Sequence, residues 1–218
     1  MTLLQKIAIC AIPSISYFLS LKVYGRYMKL KRYTVHSTNS THLLRLQTMS
    51  DTVILLSFIS NFCIQYLFEY SQPKNNQVRF AFVFMGMLIV DTVEYWSHRI
   101  LHTNFLFEKI HYVHHSVGKP VPSVSFSNHT LEVVFTTPPI LILLLVAGMS
   151  FHEFIVILTL SFIATASDHS NVHPFAFHTL HHCENKKTNY QQPFFTFWDH
   201  VCKTYNPKSE KKIPFWPI

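Results

Sequence analysis

The sequence predicts an all-α, multi-pass membrane helical bundle of about four to five segments, some of them re-entrant, with a histidine-rich helical cap at one end. Three observations predict it. Hydrophobic residues fill 49% of the 218 positions and charged residues only 13%, a balance that suits lipid better than water. Apolar runs near the ~20 residues of a membrane span recur along the chain, divided by short polar turns. The clustered histidines fall outside those runs, in two connectors.

The first run extends from about Ile7 to Tyr24 and is flanked by Lys22, Arg26, Lys29, Lys31 and Arg32. No Ala-x-Ala-like cleavage site follows it, and so dense a basic flank suits a retained anchor facing the cytosol. A second run, Thr52 to Phe68, and a third, Phe80 to Trp96, form a hairpin about a polar turn from Ser71 to Gln77. A fourth, Leu131 to Val146, and a fifth, Phe154 to Ala166, form another about Gly148-Met149-Ser150. Each hairpin returns the chain to the side it left. If 22–32 is cytosolic, so are 97–130 and everything after 167, the two stretches that hold the histidine clusters.

The net charge of +7 raises the question of nucleic acid. Lysine and arginine lie at the two ends and in short connectors, with no basic groove, so the charge is expected beside lipid headgroups and nucleic acid is not an expected partner. Cys10, Cys63, Cys183 and Cys202 form no Cys-x-x-Cys pair and are expected to be reduced thiols.

The chemistry lies in three boxes: His98-x3-His102, His111-x2-His114-His115 and His178-x2-His181-His182. On a helix, positions i, i+3 and i+4 share a face, so each box is expected to aim its imidazoles at one point. A single histidine on an apolar face is more often a satisfied core or interfacial residue. Eight that converge exceed the four to six donors one metal usually takes and point to two ions. Imidazole suits iron, zinc, copper and nickel alike, so ligand type does not name the metal.

Other residues enter as candidates. His169 follows the fifth run closely enough to be a ninth ligand; His173 lies four residues on, before the helix-breaking Pro174. His129 is a ligand, an orienting partner or an ordinary interfacial residue. Asp91 and Glu94 precede His98 by seven and four residues in a segment apolar enough to be buried, where a carboxylate usually has a task. The expected task is to accept the second N–H of a ligand histidine. Asp168 and Asp199 are weaker candidates for the same role. His36, His42, His152 and His200 have no partner at useful spacing.

Three such boxes divided by a hydrophobic hairpin resemble the fatty acid hydroxylase/sterol desaturase superfamily over about Asp91 to Tyr205. Within it, Asp91-Thr92, Asn128-His129 with Glu132, Asp168-His169 and Thr188-Asn189-Tyr190-Gln191-Gln192-Pro193-Phe194-Phe195-Thr196-Phe197-Trp198-Asp199 resemble the sphingoid-base C4-hydroxylases. The pattern departs at Thr130, where the family's Asn-His-Pro motif has proline, and at Cys202, where an aromatic-glycine ending often stands.

The resemblance implies a catalytic domain over 80–205, preceded by membrane anchor segments and a basic connector at 1–79 and followed by a short tail at 206–218. It implies two iron ions (Fe2+/Fe3+), O2 as co-substrate and hydroxylation of an unactivated C–H bond, most simply C4 of sphinganine or dihydroceramide. A sterol desaturase or sterol methyl oxidase is the alternative within the superfamily; a membrane zinc hydrolase or a metal transporter is the alternative outside it. There is no Gly-x-Gly-x-x-Gly and no Cys-x-x-Cys-His, so electrons are expected from NAD(P)H through an external carrier. The family implies cytochrome b5 and its reductase in the endoplasmic reticulum membrane. Lys186, Lys187 and Lys208 are candidates either for docking that acidic partner or for facing anionic headgroups.

Overall fold

The computed structural model describes residues 2–30, 40–71, 77–170, 177–184, 186–190 and 193–206, and contains helices and no strand among them. The long helices are α1 (Leu3–Leu30), α2 (Ser40–Ser71), α3 (Phe80–Leu101), α6 (Thr130–Val146) and α7 (Phe151–Asp168). Between α3 and α6 come α4 (Asn104–Leu106), a π-helical turn (Phe107–His111), α5 (Tyr112–His115) and a 3-10 turn (Pro122–Val124). The short helices α8 (Phe177–Cys183) and α9 (Phe197–Val201) follow α7.

Four of these helices, α1, α2, α3 and α7, are long and apolar enough to cross a membrane. The fourth expected run becomes α6, which has 17 residues, two of them Pro138 and Pro139, and falls just short of the others. Apolar side chains such as Leu55, Ile59 and Ile142 face outward, where lipid rather than water can solvate them. Helix α7 is the exception: 61% of its apolar window is buried, against 22% for α1 and α2, because it packs against α1, α2 and α3 at once. Gly86 permits the close approach of α3, since a Cβ there would meet Ile157 Cδ1 at 2.2 Å.

Helix α2 begins about a dozen residues before its apolar run. Leu43, Leu46 and Met49, spaced three apart, pack on Val113, Val117, Val121 and Val124, so the cap segment covers the turns that project past the apolar belt. At the same end the buried Tyr17 hydroxyl bonds Ser50, Ser125 and the Pro122 carbonyl, and Tyr24 lies beside Ser167 and Asp168. The ends of α1, α3 and α7 and the start of α2 thus gather at one end of the bundle, as hairpin parity expects. Of the polar turn expected at 71–77, residues 72–76 lie outside the described residues, as do Lys31 and Arg32.

The opposite end is fastened by polar groups. Ser150 caps α7 in a capping box with Glu153, and Glu153, whose side chain is wholly buried, also accepts from the Arg79 guanidinium and backbone N–H at 2.8 and 2.9 Å. Arg79 donates further to the Gly148 carbonyl, tying the start of α3 to the α6–α7 turn. Changing Arg79 to Ala should cost on the order of 3 kcal/mol, because it strands a buried carboxylate. The thermal midpoint in detergent should fall, and changing Glu153 to Leu as well should restore part of it. An unaltered midpoint for the single variant would show that the pair holds nothing together.

Candidate metal centre

Five elements at the capped end deliver the histidines. His98 lies in the last turn of α3 and His102 caps it; His111 ends the π-helical turn; His114 and His115 are in α5; His169 caps α7; His178, His181 and His182 are in α8. All are buried except His102, which is partly so.

The nine nitrogens form two groups rather than one. His98, His102, His111, His115 and His181 make up one, and His114, His169, His178 and His182 the other; within each, the nitrogens all lie within 4.8 Å of one another. The expectation that each box aims at a single point is therefore corrected. Residues i and i+4 are about 40° apart around a helix, whereas i+3 and i+4 differ by about 100°. Hence His98 and His102, His111 and His115, and His178 and His182 stay together as i, i+4 pairs, while His114 and His181, at i+3, cross to the other group.

The donor chemistry fits a cation at the centre of each group. Nε2 atoms approach at 3.1 Å (His98–His102), 3.0 Å (His102–His181) and 3.1 Å (His115–His181) in the first, and at 3.2 Å (His114–His182), 3.2 Å (His178–His182) and 3.4 Å (His114–His169) in the second. Ligands about 2.1 Å from a shared ion stand roughly 3.0–3.4 Å apart in octahedral to tetrahedral geometry. Hydrogen bonds alone do not satisfy this packing. His169 Nδ1 donates to the Thr165 carbonyl at 2.8 Å, His181 Nδ1 to the Thr188 carbonyl at 2.7 Å and His111 Nδ1 to Glu132 Oε1 at 3.1 Å. Each neutral ring then presents a lone pair at Nε2, and His111 Nε2 is buried with no protein partner.

Burial keeps these rings neutral. Desolvation first, and neighbouring imidazoles second, hold His102, His114, His115, His178 and His182 far below the ordinary histidine range. His169 is held at about 4, again by desolvation, and His181 at about 3. Neutral imidazole is the form that binds metal.

Three of the carboxylates chosen from sequence, Asp91, Glu94 and Asp199, act elsewhere. Asp91 accepts from the backbone N–H groups of Phe194 and Phe195 at 3.0 and 2.7 Å, so it anchors a loop and not a histidine. Asp199 accepts from Tyr190 N and Thr204 Oγ1, holding Tyr190 against the rings of His98, His102 and His181. Asp168 is buried at the end of α7, where its carbonyl accepts from Thr179 of α8. Glu94 lines a cavity instead. His129 caps α6, its Nδ1 accepting from Leu131 N, and is in neither group; His173 lies outside the described residues. The role expected of Asp91 and Glu94 belongs to Glu132, in the first turn of α6. The signal that singled out the other two, an acid in an apolar run, also marks Glu132.

A cavity of about 390 Å³ runs between α2, α3, α6 and α7. His98, His111, Glu94, Glu132 and Asn128 line one end, and Leu141, Leu144, Phe154 and Ile157 the other. Leu56 of α2 and Val134 of α6 line it and are also more than half exposed, so it opens between those helices onto the lipid-facing surface.

Comparison with known proteins agrees with this geometry. The chain is 36% identical over 143 residues, 58% of its length, to the sphingolipid C4-hydroxylase sur2 of Schizosaccharomyces pombe, covering 49% of that protein. It is 34% identical to sphinganine C4-monooxygenase 2 of Arabidopsis thaliana, over 59% of this chain and 55% of that one. The alignments thus span about half the length of these two relatives. Methylsterol monooxygenase 2-1 of Arabidopsis thaliana is 40% identical, but over 25% of this chain and 20% of its own. No solved structure matches. The family model for fatty acid hydroxylase matches residues 83–204, the stretch from the first turn of α3 to the loop after α9 that carries all nine histidines, and the chain belongs to the fatty acid hydroxylase family.

Proposed function

We propose that this protein is a membrane-embedded di-iron hydroxylase of lipid chains, acting at C4 of a sphingoid base. The observation that carries the reading is the apolar cavity that starts at the lipid-facing surface and ends on His98 and His111 of the five-nitrogen group. Nine donors in two groups exceed what a tetrahedral zinc hydrolase needs. Their place at the helix ends, away from the middle of the bundle, differs from the midplane sites of transporters. The shorter match to a methylsterol monooxygenase gives the sterol alternative weaker support.

Two irons held by these groups would supply reductive activation of O2 and oxidation of the C–H bond presented to them. The chain's own part is positioning. Thr165, Thr188 and Glu132 fix three rings in the ligating tautomer, and α2 and α6 admit an alkyl chain while excluding water from its path. Electrons from NAD(P)H are proposed to arrive through cytochrome b5 and its reductase on the cytosolic face of the endoplasmic reticulum. Lys186, stacked over Phe107 at 4.8 Å, stands beside the centre where such a carrier would dock; Lys208 lies outside the described residues.

Purified active protein should hold about two irons per chain. Substituting Ala for any of the nine histidines should abolish activity and lower metal content, and an active preparation with one metal or none would end the di-iron reading. The pH dependence has a definite sign. His169 and His181 are held near 4 and 3 when folded but titrate at 6.5 when exposed. The unfolded chain therefore takes up protons first, and stability and metal retention should fall as pH drops below about 6.5. Metal loss that instead rose with pH between 5 and 8 would contradict histidine ligation.

In a cysteine-free background, cysteines at Gly118 and Lys186 should label from the cytosolic side and one at Val78 should not. Labelling of 118 and 186 from opposite sides would separate the boxes. In cells lacking their own C4-hydroxylase, expression should yield 4-hydroxylated sphingoid bases whose new oxygen comes from labelled O2. Altered sterol intermediates with no such base would move the protein to the sterol branch.

A further inference from the structure

The metal-facing end of the cavity is acidic, and nothing in the reaction proposed above accounts for both acids. Glu94 and Glu132 line it together, and no Lys or Arg pairs with either among the described residues. Glu132 is 7% exposed; its Oε1 receives the His111 N–H, while its Oε2 is buried with no hydrogen-bond partner. Two carboxylates at the head of a mostly apolar channel are costly unless a cation meets them. The channel itself follows α6 from Glu132 to Leu144, about 18 Å at 1.5 Å per residue. That is roughly the hydrocarbon depth of one leaflet, about 15 Å.

We infer that Glu94 and Glu132 receive the protonated amine of a long-chain base, so that the enzyme selects the free amine over its N-acylated form. This rests on the sphingoid reading above. In such a base the amine-bearing carbon is separated from C4 by a single carbon. Pinning the ammonium beside His98 and His111 therefore holds C4 at the five-nitrogen group, with the alkyl tail running toward Leu144 and Phe154. Glu132 would then serve twice, orienting His111 through Oε1 and the substrate through Oε2. N-acylation removes the positive charge and leaves both carboxylates unpaired.

The test is competition for binding. Radiolabelled octadecylamine is bound to the metal-loaded protein in nanodiscs and displaced by unlabelled octadecylamine, octadecanol or N-acetyl-octadecylamine. The amine should compete at least about tenfold more strongly than the alcohol or the amide, which have the same tail. Glu94→Gln and Glu132→Gln, checked for metal content, should each bring that ratio toward one. In turnover, the ratio of kcat/KM for sphinganine over N-acetylsphinganine should fall in Glu94→Gln, chiefly through KM. Failure of the radiolabel to bind, equal competition by all three ligands in the unaltered protein, or a ratio untouched by Glu94→Gln overturns the inference. If the amine preference holds while sphinganine yields no 4-hydroxylated product, the amine site stands and the sphingoid hydroxylase reading falls.

Discussion

Nine imidazoles brought together out of water are unstable as a purely organic arrangement. Charged, they would repel across a few ångströms; neutral, they bring more lone pairs face to face than their N–H groups can satisfy. The structure keeps them neutral by burial and fixes three of them with Nδ1 donors, to Thr165, Thr188 and Glu132, so that the surplus lone pairs point inward. A cation in each group removes the conflict. The folded shape of the cap would then depend in part on metal, beside the contacts that tie α5 to α2, α8 to α7 and α9 to Tyr190.

That dependence explains the irregular backbone around the centre. A regular helix offers i, i+4 pairs to one ion, and each box supplies one such pair. Linking the two groups needs ligands that leave the pair, and His114 and His181 do so from the i+3 position. The π-helical turn Phe107–His111 rotates the second box relative to the helix before it, a widening of the helix often found at functional sites. The segment from Pro193 to Thr204, which includes α9, closes the site from behind: Asp91 holds its start, Asp199 its end, and the nearby Tyr190 lies on the rings. Asn189, at φ 53, makes the reversal that brings Tyr190 there.

Much of this was legible in the sequence because two strong signals are local. Apolar runs located every long helix, the spacing of the boxes marked eight of the nine histidines, and the place of His169 just after the fifth run marked the ninth. What the sequence hid was pairing over distance. Asp91 reads as a partner for a histidine seven residues away, yet its acceptors are taken by Phe194 and Phe195, about a hundred residues later. Glu132 reads as the first turn of a membrane segment, yet it supports His111 across the fold. His129 carries metal-binding chemistry in its side chain but spends Nδ1 on capping α6, a choice set by its φ of −65 and ψ of 143, ahead of the helix. The division into two groups was hidden too, since spacing shows which histidines share a helix face and not which ion each face meets.

On the proposed function, the position of the centre follows from the substrate's physical state. A lipid cannot leave the bilayer cheaply, whereas O2 and electrons need access that does not cross the full hydrocarbon depth. A site at the helix ends meets both demands when an apolar channel reaches it from the side. Here α2 and α6 form that side, with Leu56 and Val134 at its margin, while α7 stays packed against α1 and α3 as the fixed wall. The slightly short, doubly proline-bearing α6 suits a margin better than a core, because prolines remove backbone hydrogen bonds that tie a helix to one shape. On that reading, wall, margin and acidic head would divide the labour of the cavity: one would keep the metal geometry, one would admit the chain, and one would set how far in it stops.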